Sequence, residues 1–178
     1  MIDRLAKEHQ LTVYETPVGF NHIADRMLKE DILIGGEESG GISIKGHIPE
    51  GDGILMGLLV VELIAHSQTS LHELVENLLQ RYGPAYYERK DLRLARPVSK
   101  SQMTERLVHQ APAQLAGEAV VEISTMDGVK YILADDSWLL IRPSGTEPVL
   151  RVYAEARSPE IMKQLLSYGE QVAASANG

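Results

Sequence analysis

The sequence predicts two modules in series: an α/β layer over residues 1–90, then an α+β module over residues 91–178 with a four-strand antiparallel sheet and helices on one face. Three observations carry that reading. Helix-period and strand-like stretches alternate through the first third of the chain, the pattern of a layered α/β fold. Gly83-Pro84 then stops the last helix of that part, since proline cannot continue one. Beyond it come four short runs rich in β-branched and aromatic residues, separated by turn signals.

Taken in order, residues 2–9 read as an amphipathic helix with Ile2, Leu5 and Ala6 on one face. Residues 12–14 are a short strand candidate ending at Glu15-Thr16-Pro17. Val18-Gly19-Phe20 leads into a helical pattern through Ile23, Met27 and Leu28, and residues 31–34 are an apolar strand that stops at Gly35-Gly36. The module therefore opens on a helix with no strand before it, as a partial domain would. Asp52 is a natural N-cap for a helix over 53–66. Ser70 with Glu73 makes a capping box for the next helix, through Leu71, Leu74, Val75, Leu78 and Leu79. Residues 85–97 carry Tyr86, Tyr87 and the mixed charges of 88–91, and are expected as an extended connector or strand with solvated charges. The junction between modules is expected inside 84–98.

In the second module, a helix over 101–110 has Met103, Leu107 and Val108 as its apolar positions. Strands over 120–124 and 130–133 bracket the hairpin signal Asp127-Gly128. Strands over 138–141 and 149–155 flank a polar turn at 142–148. Ser158-Pro159-Glu160 opens a closing helix that faces Ile161, Leu165 and Leu166 inward.

Composition narrows the function classes. The chain is 44% hydrophobic but only 5% aromatic, so aliphatic packing must dominate any core. A net charge of −8 argues against a broad nucleic-acid surface and confines positive charge at an anion site to a few side chains. With no cysteine there are neither disulfides nor thiolate metal sites, which fits a reducing cytoplasm. The first ten residues contain no apolar signal region. The most hydrophobic run, 54–65, falls short of the ~20 residues a membrane span needs and is expected as a buried helix.

Two loops carry the chemistry. R-P-S-G-T-E-P at 142–148 offers the hydroxyls of Ser144 and Thr146, and Gly145 can take φ > 0. Arg142 and, just beyond, Arg151 bring guanidinium forks suited to bidentate phosphate recognition. Successive backbone N–H groups in such a turn can form an anion nest. On composition alone a phosphate cradle and a plain hairpin with solvated Arg and Glu stand level. The second loop is G-G-E-E-S-G-G at 35–41, where glycines admit a ligand to the backbone. Its carboxylates beside Ser39 supply acceptors and a donor for sugar hydroxyls, although composition alone leans to an acidic turn.

The run at 142–148, followed by Arg151, resembles the phosphate-binding loop in the last domain of the α-D-phosphohexomutases. That family comprises phosphoglucomutases, phosphomannomutases and phosphoglucosamine mutases. G-E-E-S-G at 36–40 resembles the sugar-binding loop of the family's third domain, which places Glu37 and Ser39 on sugar hydroxyls. T-P-V-G-F at 16–20 resembles the segment before a basic residue that contacts substrate phosphate, Lys in several phosphoglucomutase-like members. Here that position is Asn21, an amide without charge, followed by His22 as a surface helix residue. Some members carry His after the sugar loop's last glycine, where this chain has Gly41.

The resemblance covers essentially the whole chain in motif order, as the C-terminal part of domain 3 (residues 1–90) and all of domain 4 (residues 91–178). It implies phosphate held by Arg142, Ser144, Gly145, Thr146 and Arg151, and a hexose phosphate bound across an interdomain cleft. For the parent it implies an isomerase, phosphoglucomutase foremost, that interconverts hexose 1-phosphate and 6-phosphate. The cofactors implied are Mg²⁺ and a hexose 1,6-bisphosphate that serves as activator and intermediate, with a phosphoserine as the donor. Neither the family's Thr/Ser-x-Ser-His-Asn-Pro serine loop nor its D-G-D-x-D-R metal loop occurs in the sequence, and Asp135-Asp136 lacks the latter's spacing. The expectation is a C-terminal fragment with no catalytic residue or metal ligand of its own, inactive alone and partnered by domains 1 and 2 of a cytoplasmic parent. It has no nucleic-acid or membrane partner. The alternatives are a stand-alone, non-catalytic hexose-phosphate-binding module and a structural domain with vestigial loops.

Overall fold

Capping chemistry sets two helices of the first module, and cross-strand alternation sets most of the second. The computed structural model describes residues 1–145 and 147–176. They fall into two units, Ile2–Arg81 and the chain from Tyr82 onward.

The first unit runs α1 (Ile2–Glu8), α2 (Phe20–Lys29), a hairpin of β1 (Ile34–Gly36) and β2 (Ile42–Ile44), α3 (Gly53–Ser67) and α4 (Leu71–Tyr82). Asp52 caps α3: its Oδ1 accepts from the N–H groups of Ile54 and Leu55 at 3.1 and 2.9 Å. Ser70 and Glu73 cap α4 reciprocally, with Ser70 N–H on Glu73 Oε2 at 3.0 Å and Glu73 N–H on Ser70 Oγ at 3.3 Å. Gly83, at φ 82°, lets the chain leave α4.

Three expectations are corrected here. Residues 12–14 form no strand, because no neighbouring segment among the described residues pairs with them and an extended run without a ladder is not a sheet. The strand expected at 31–34 instead lies at Ile34–Gly36, with both glycines inside it. Its reason is packing: a Cβ on Gly35 would stand 2.4 Å from Ile23 Cγ2 and 3.1 Å from Met27 Sδ, so glycine lets α2 lie directly on β1. Lastly, α3 is not buried. It is apolar on every side, yet Ile54 is 80% exposed and Leu58 and Val61 63%. A helix apolar all round needs cover all round, and this unit buries only Ala6 and Ser43 completely.

The second unit contains β3 (Tyr86–Arg93), α5 (Lys100–His109), β4 (Gln114–Leu115), β5 (Glu118–Ser124), β6 (Val129–Leu133), β7 (Trp138–Pro143), β8 (Val149–Ala156) and α6 (Pro159–Ala176). Its sheet is antiparallel throughout, in the order β3-β8-β7-β6-β5-β4. Every second residue of β6, β7 and β8 is buried, and register aligns them in rows such as Tyr131–Leu139–Ala154 and Val129–Ile141–Val152. Met103 and Leu107 of α5 and Leu165 and Leu166 of α6 join the same cluster, so both helices cover one face. Tyr131 Oη donates to the Leu107 carbonyl at 2.9 Å, tying β6 to α5.

The four expected strands are β5 to β8, the middle of the sheet, and β3 and β4 widen it to six. Residues 86–93 form an edge strand, and three of the charges at its exposed surface also make ion pairs. Arg89 grips Asp91 with two N–H groups at 2.8 and 2.9 Å, and Lys90 reaches Glu170 of α6 at 2.6 Å. Val108 points outward, 41% exposed. Among the described residues no single helix is long and apolar enough to cross a membrane; α3 and α4 pass that test only as a pair bent by 82°.

Candidate functional site

The strand β7 runs on through Arg142 and Pro143, so the polar turn expected at 142–148 is shorter and begins at Ser144. Alternation puts Ile141 and Pro143 into the core and leaves Arg142 on the opposite face. Arg151 of β8 is its register partner, and Asp91 of β3 is the register partner of Arg151. One row across three strands therefore reads Arg142, Arg151, Asp91.

Two guanidinium groups directly opposite each other repel, and each is set against a carboxylate. Arg142 Nε donates to Asp127 Oδ2 at 2.9 Å, with both side chains under one-fifth exposed. Among the described residues its terminal guanidinium nitrogens make no further hydrogen bond. Arg151 is held less firmly. Its Nε is 3.8 Å from Asp91 and one terminal nitrogen 3.8 Å from Glu147, too far for hydrogen bonds. The Arg151 Nε is buried and has no hydrogen-bond partner among the described residues. An unpaired buried donor is costly and rare in native proteins. Arg89 holds the Asp91 carboxyl below its usual range through the paired hydrogen bond, opposed by some burial and aided by the charge of Arg151.

The turn itself is tight. Ser144 N–H donates to the Val149 carbonyl at 2.8 Å, and Glu147 N–H to Ser144 Oγ at 3.2 Å. The expected nest is thus narrower than the sequence suggests, because Ser144 N–H is committed to the hairpin. Gly145 N–H makes no hydrogen bond among the described residues, and a Cβ there would meet nothing within 4 Å. Gly145 does not use the positive φ open to it, so its value here is open space rather than backbone freedom. Thr146, the remaining expected phosphate ligand, lies outside the described residues.

In the first unit, Glu37 to Gly41 closes the β1–β2 hairpin. Glu37 N–H donates to the Gly41 carbonyl at 2.8 Å, and Gly40 N–H to the Glu37 carbonyl at 3.0 Å, with Gly40 at φ 95°. This turn exposes Ser39 and leaves Glu37 half-buried. A Cβ on Gly41 would come within 3.3 Å of Glu37 Oε2 and 3.4 Å of the Phe20 ring, so Gly41 makes room for that carboxylate. Phe20 opens α2 and is followed by the exposed Asn21. His22 sits half-buried on the first turn of α2, its N–H on the Gly19 carbonyl at 3.0 Å.

Asp127, Asp91 and Glu147 are the members of the arginine site that sequence reasoning passed over. Asp127 reads locally as a hairpin residue and Asp91 as one charge in a solvated run. Only strand register brings them to Arg142 and Arg151. Among the described residues no three His, Asp or Glu side chains gather as a metal site.

The second unit is thus an antiparallel α+β fold that presents two registered arginines beside an open glycine turn. Known proteins resolve the class further. Residues 1–82 match the family model described as phosphoglucomutase/phosphomannomutase, alpha/beta/alpha domain III, and residues 98–168 match the C-terminal domain of the same family. A phosphoglucomutase/phosphomannomutase from Thermococcus kodakarensis is 34% identical over 95% of this chain and 34% of its own length. A phosphoglucosamine mutase from Methanococcus aeolicus is 34% identical over 94% of this chain and 35% of its own length. The crystal structure of a Thermus thermophilus protein assigned as a phosphomannomutase superposes with a TM-score of 0.75 at 34% identity, over 97% of this chain and 34% of that one. The chain belongs to the phosphoglucomutase/phosphomannomutase family, of which it represents domains III and IV. It spans about a third of the length of the relatives it matches.

Proposed function

We propose that this chain is the C-terminal substrate-binding part of a phosphohexose mutase, in which the arginine turn holds phosphate and the acidic turn holds sugar hydroxyls. Arg142, Arg151, Ser144, Gly145 and Thr146 bind the non-reacting phosphate of a hexose phosphate. Glu37 accepts hydrogen bonds from sugar hydroxyls, and Ser39 donates or accepts as the hydroxyl pattern requires. The observation that carries this reading is the registered Arg142–Arg151 pair, which sets two guanidinium groups on one face of the sheet beside the turn, with Arg151 Nε buried and lacking a hydrogen bond among the described residues.

In the whole enzyme a phosphoserine elsewhere in the parent gives its phosphoryl to the hexose phosphate. The resulting 1,6-bisphosphate reorients and returns its other phosphoryl to the serine. Glucose phosphate is the proposed substrate and the cytoplasm the proposed compartment, in keeping with a cysteine-free chain. The Mg²⁺ of such an enzyme is not held by the described residues, and no step through it is assigned to them.

The test is kinetic. In the full-length parent, Glu37→Gln and Arg142→Ala should each lower kcat/KM for glucose 1-phosphate by about tenfold or more. Unchanged kinetics in both variants would overturn the reading.

A further inference from the structure

The geometry points to Asp127 as the positioning residue of the phosphate site, acting through Arg142. This inference rests on the arginine turn being the phosphate site and adds a residue to it.

Asp127 sits at the tip of the β5–β6 hairpin, fifteen positions before the arginine it serves. Its Oδ2 takes Arg142 Nε at 2.9 Å, and its Oδ1 takes Lys100 Nζ from the first turn of α5. The carboxylate is 12% exposed, so the pair is more strongly coupled than a surface ion pair. The hairpin tip is forced into place by the next residue. Gly128 adopts φ 95°, and a Cβ there would stand 2.5 Å from the Ile141 carbonyl and 3.0 Å from Arg142 Cα. Only glycine lets the tip lie against β7 at this point, and that contact sets Asp127 beside the Arg142 side chain.

A guanidinium bound through Nε is held against rotation about its Cδ–Nε bond. It keeps four of its five N–H groups for a ligand. Asp127 therefore fixes the Arg142 fork before phosphate arrives, which removes an ordering cost from binding.

Simple electrostatics makes the opposite forecast. Asp127 is a negative charge at an anion site, so deleting it should tighten phosphate binding. Positioning demands that deletion weaken it. The sign of the effect separates the two.

The experiment compares inorganic phosphate affinity, read from amide shifts of the turn, in the unmodified chain, Asp127→Ala, Asp127→Asn and Arg142→Ala. Asp127→Ala should weaken binding roughly threefold to tenfold, with Asp127→Asn milder because its carbonyl can still accept from Nε. The Arg142 Nε–H resonance should be sharp in the unmodified chain and lost in Asp127→Ala, while the phosphate-free turn amides stay where they were. Unchanged or tighter binding in Asp127→Ala would overturn the positioning role. So would turn amides displaced before phosphate is added, which would mark a structural role instead. If Asp127→Ala does not fold, Asp127→Asn decides by the same sign. A chain whose turn ignores phosphate, or an Arg142→Ala variant that binds as well as the unmodified chain, would overturn the site reading itself, and this inference with it.

Discussion

Arg151 is the residue whose surroundings most plainly call for a ligand. Its Nε is buried without a hydrogen bond among the described residues, and its flanking carboxylates stand off at 3.8 Å. Arg142, by contrast, is oriented already by Asp127. A charge-assisted hydrogen bond contributes about 1.5–3 kcal/mol, so Arg142→Ala should weaken phosphate binding by roughly tenfold or more. Arg151→Ala should weaken it less, because that variant also relieves the repulsion across the strands. Phosphate titrations of the two variants check the order, and an Arg151→Ala defect larger than that of Arg142→Ala would reverse the assignment of the leading ligand. Both arginines, Ser144 and Gly145 were legible as a group because they fall within ten positions of one another in the sequence. Asp127 and Asp91 were not, since only pairing between distant strands defines their neighbours.

Among the elements, the features fixed by a few adjacent residues were readable from sequence: the Asp52 cap, the Ser70–Glu73 box and the glycine exit after α4. The edge strand β3 was harder to read because its inward positions include Glu88 and Lys90, and Lys90 reaches past the sheet to Glu170. Two core contacts can be tested by unfolding. Tyr131→Phe removes the bond to the Leu107 carbonyl and leaves that acceptor unsatisfied, so it should cost about 1–2 kcal/mol in denaturant unfolding. Gly169→Ala would gain about 1 kcal/mol of helix propensity. Its Cβ, however, would stand 2.4 Å from Cγ1 of the fully buried Val152, and overpacking of that kind costs roughly 1–3 kcal/mol. The expected net effect is destabilising, and a more stable Gly169→Ala would show that α6 is free to move off β8. The cap of α3 carries a pH dependence. The Leu55 N–H, more than any other group, holds the Asp52 carboxyl below its ordinary value, with His47 and the Ile54 N–H adding to it and burial opposing. A depressed carboxyl stabilises the folded form above the unfolded group's range, and that contribution is lost as pH falls through the lowered folded value. The Ile54 and Leu55 amides should therefore lose hydrogen-exchange protection only below pH 3.8. Protection that does not fall on acidification would contradict the cap's contribution.

At the scale of the whole molecule the two units differ in how well they satisfy their own chemistry. The second buries a continuous cluster from Leu94 to Ala173, whereas the first leaves α3 bare on apolar positions such as Ile54 and Leu58. Hydrogen exchange should find the amides of β6, β7 and β8 protected and those of α3 exchanging far sooner, and equal protection would show that α3 is covered. The chain spans about a third of its relatives' length. The sequence also lacks the serine and metal loops of the family, so the isolated chain should give no turnover of glucose 1-phosphate with Mg²⁺ and bisphosphate added. Sustained activity from pure protein would contradict that. The central claim, that the turn after Arg142 binds the phosphate of a hexose phosphate, is tested most directly by titrating the chain with glucose 6-phosphate while following every backbone amide. The account predicts saturable shifts centred on Ser144, Gly145 and Thr146, reproduced by inorganic phosphate and absent with glucose alone. Stationary turn amides, with the response on another surface, would contradict it.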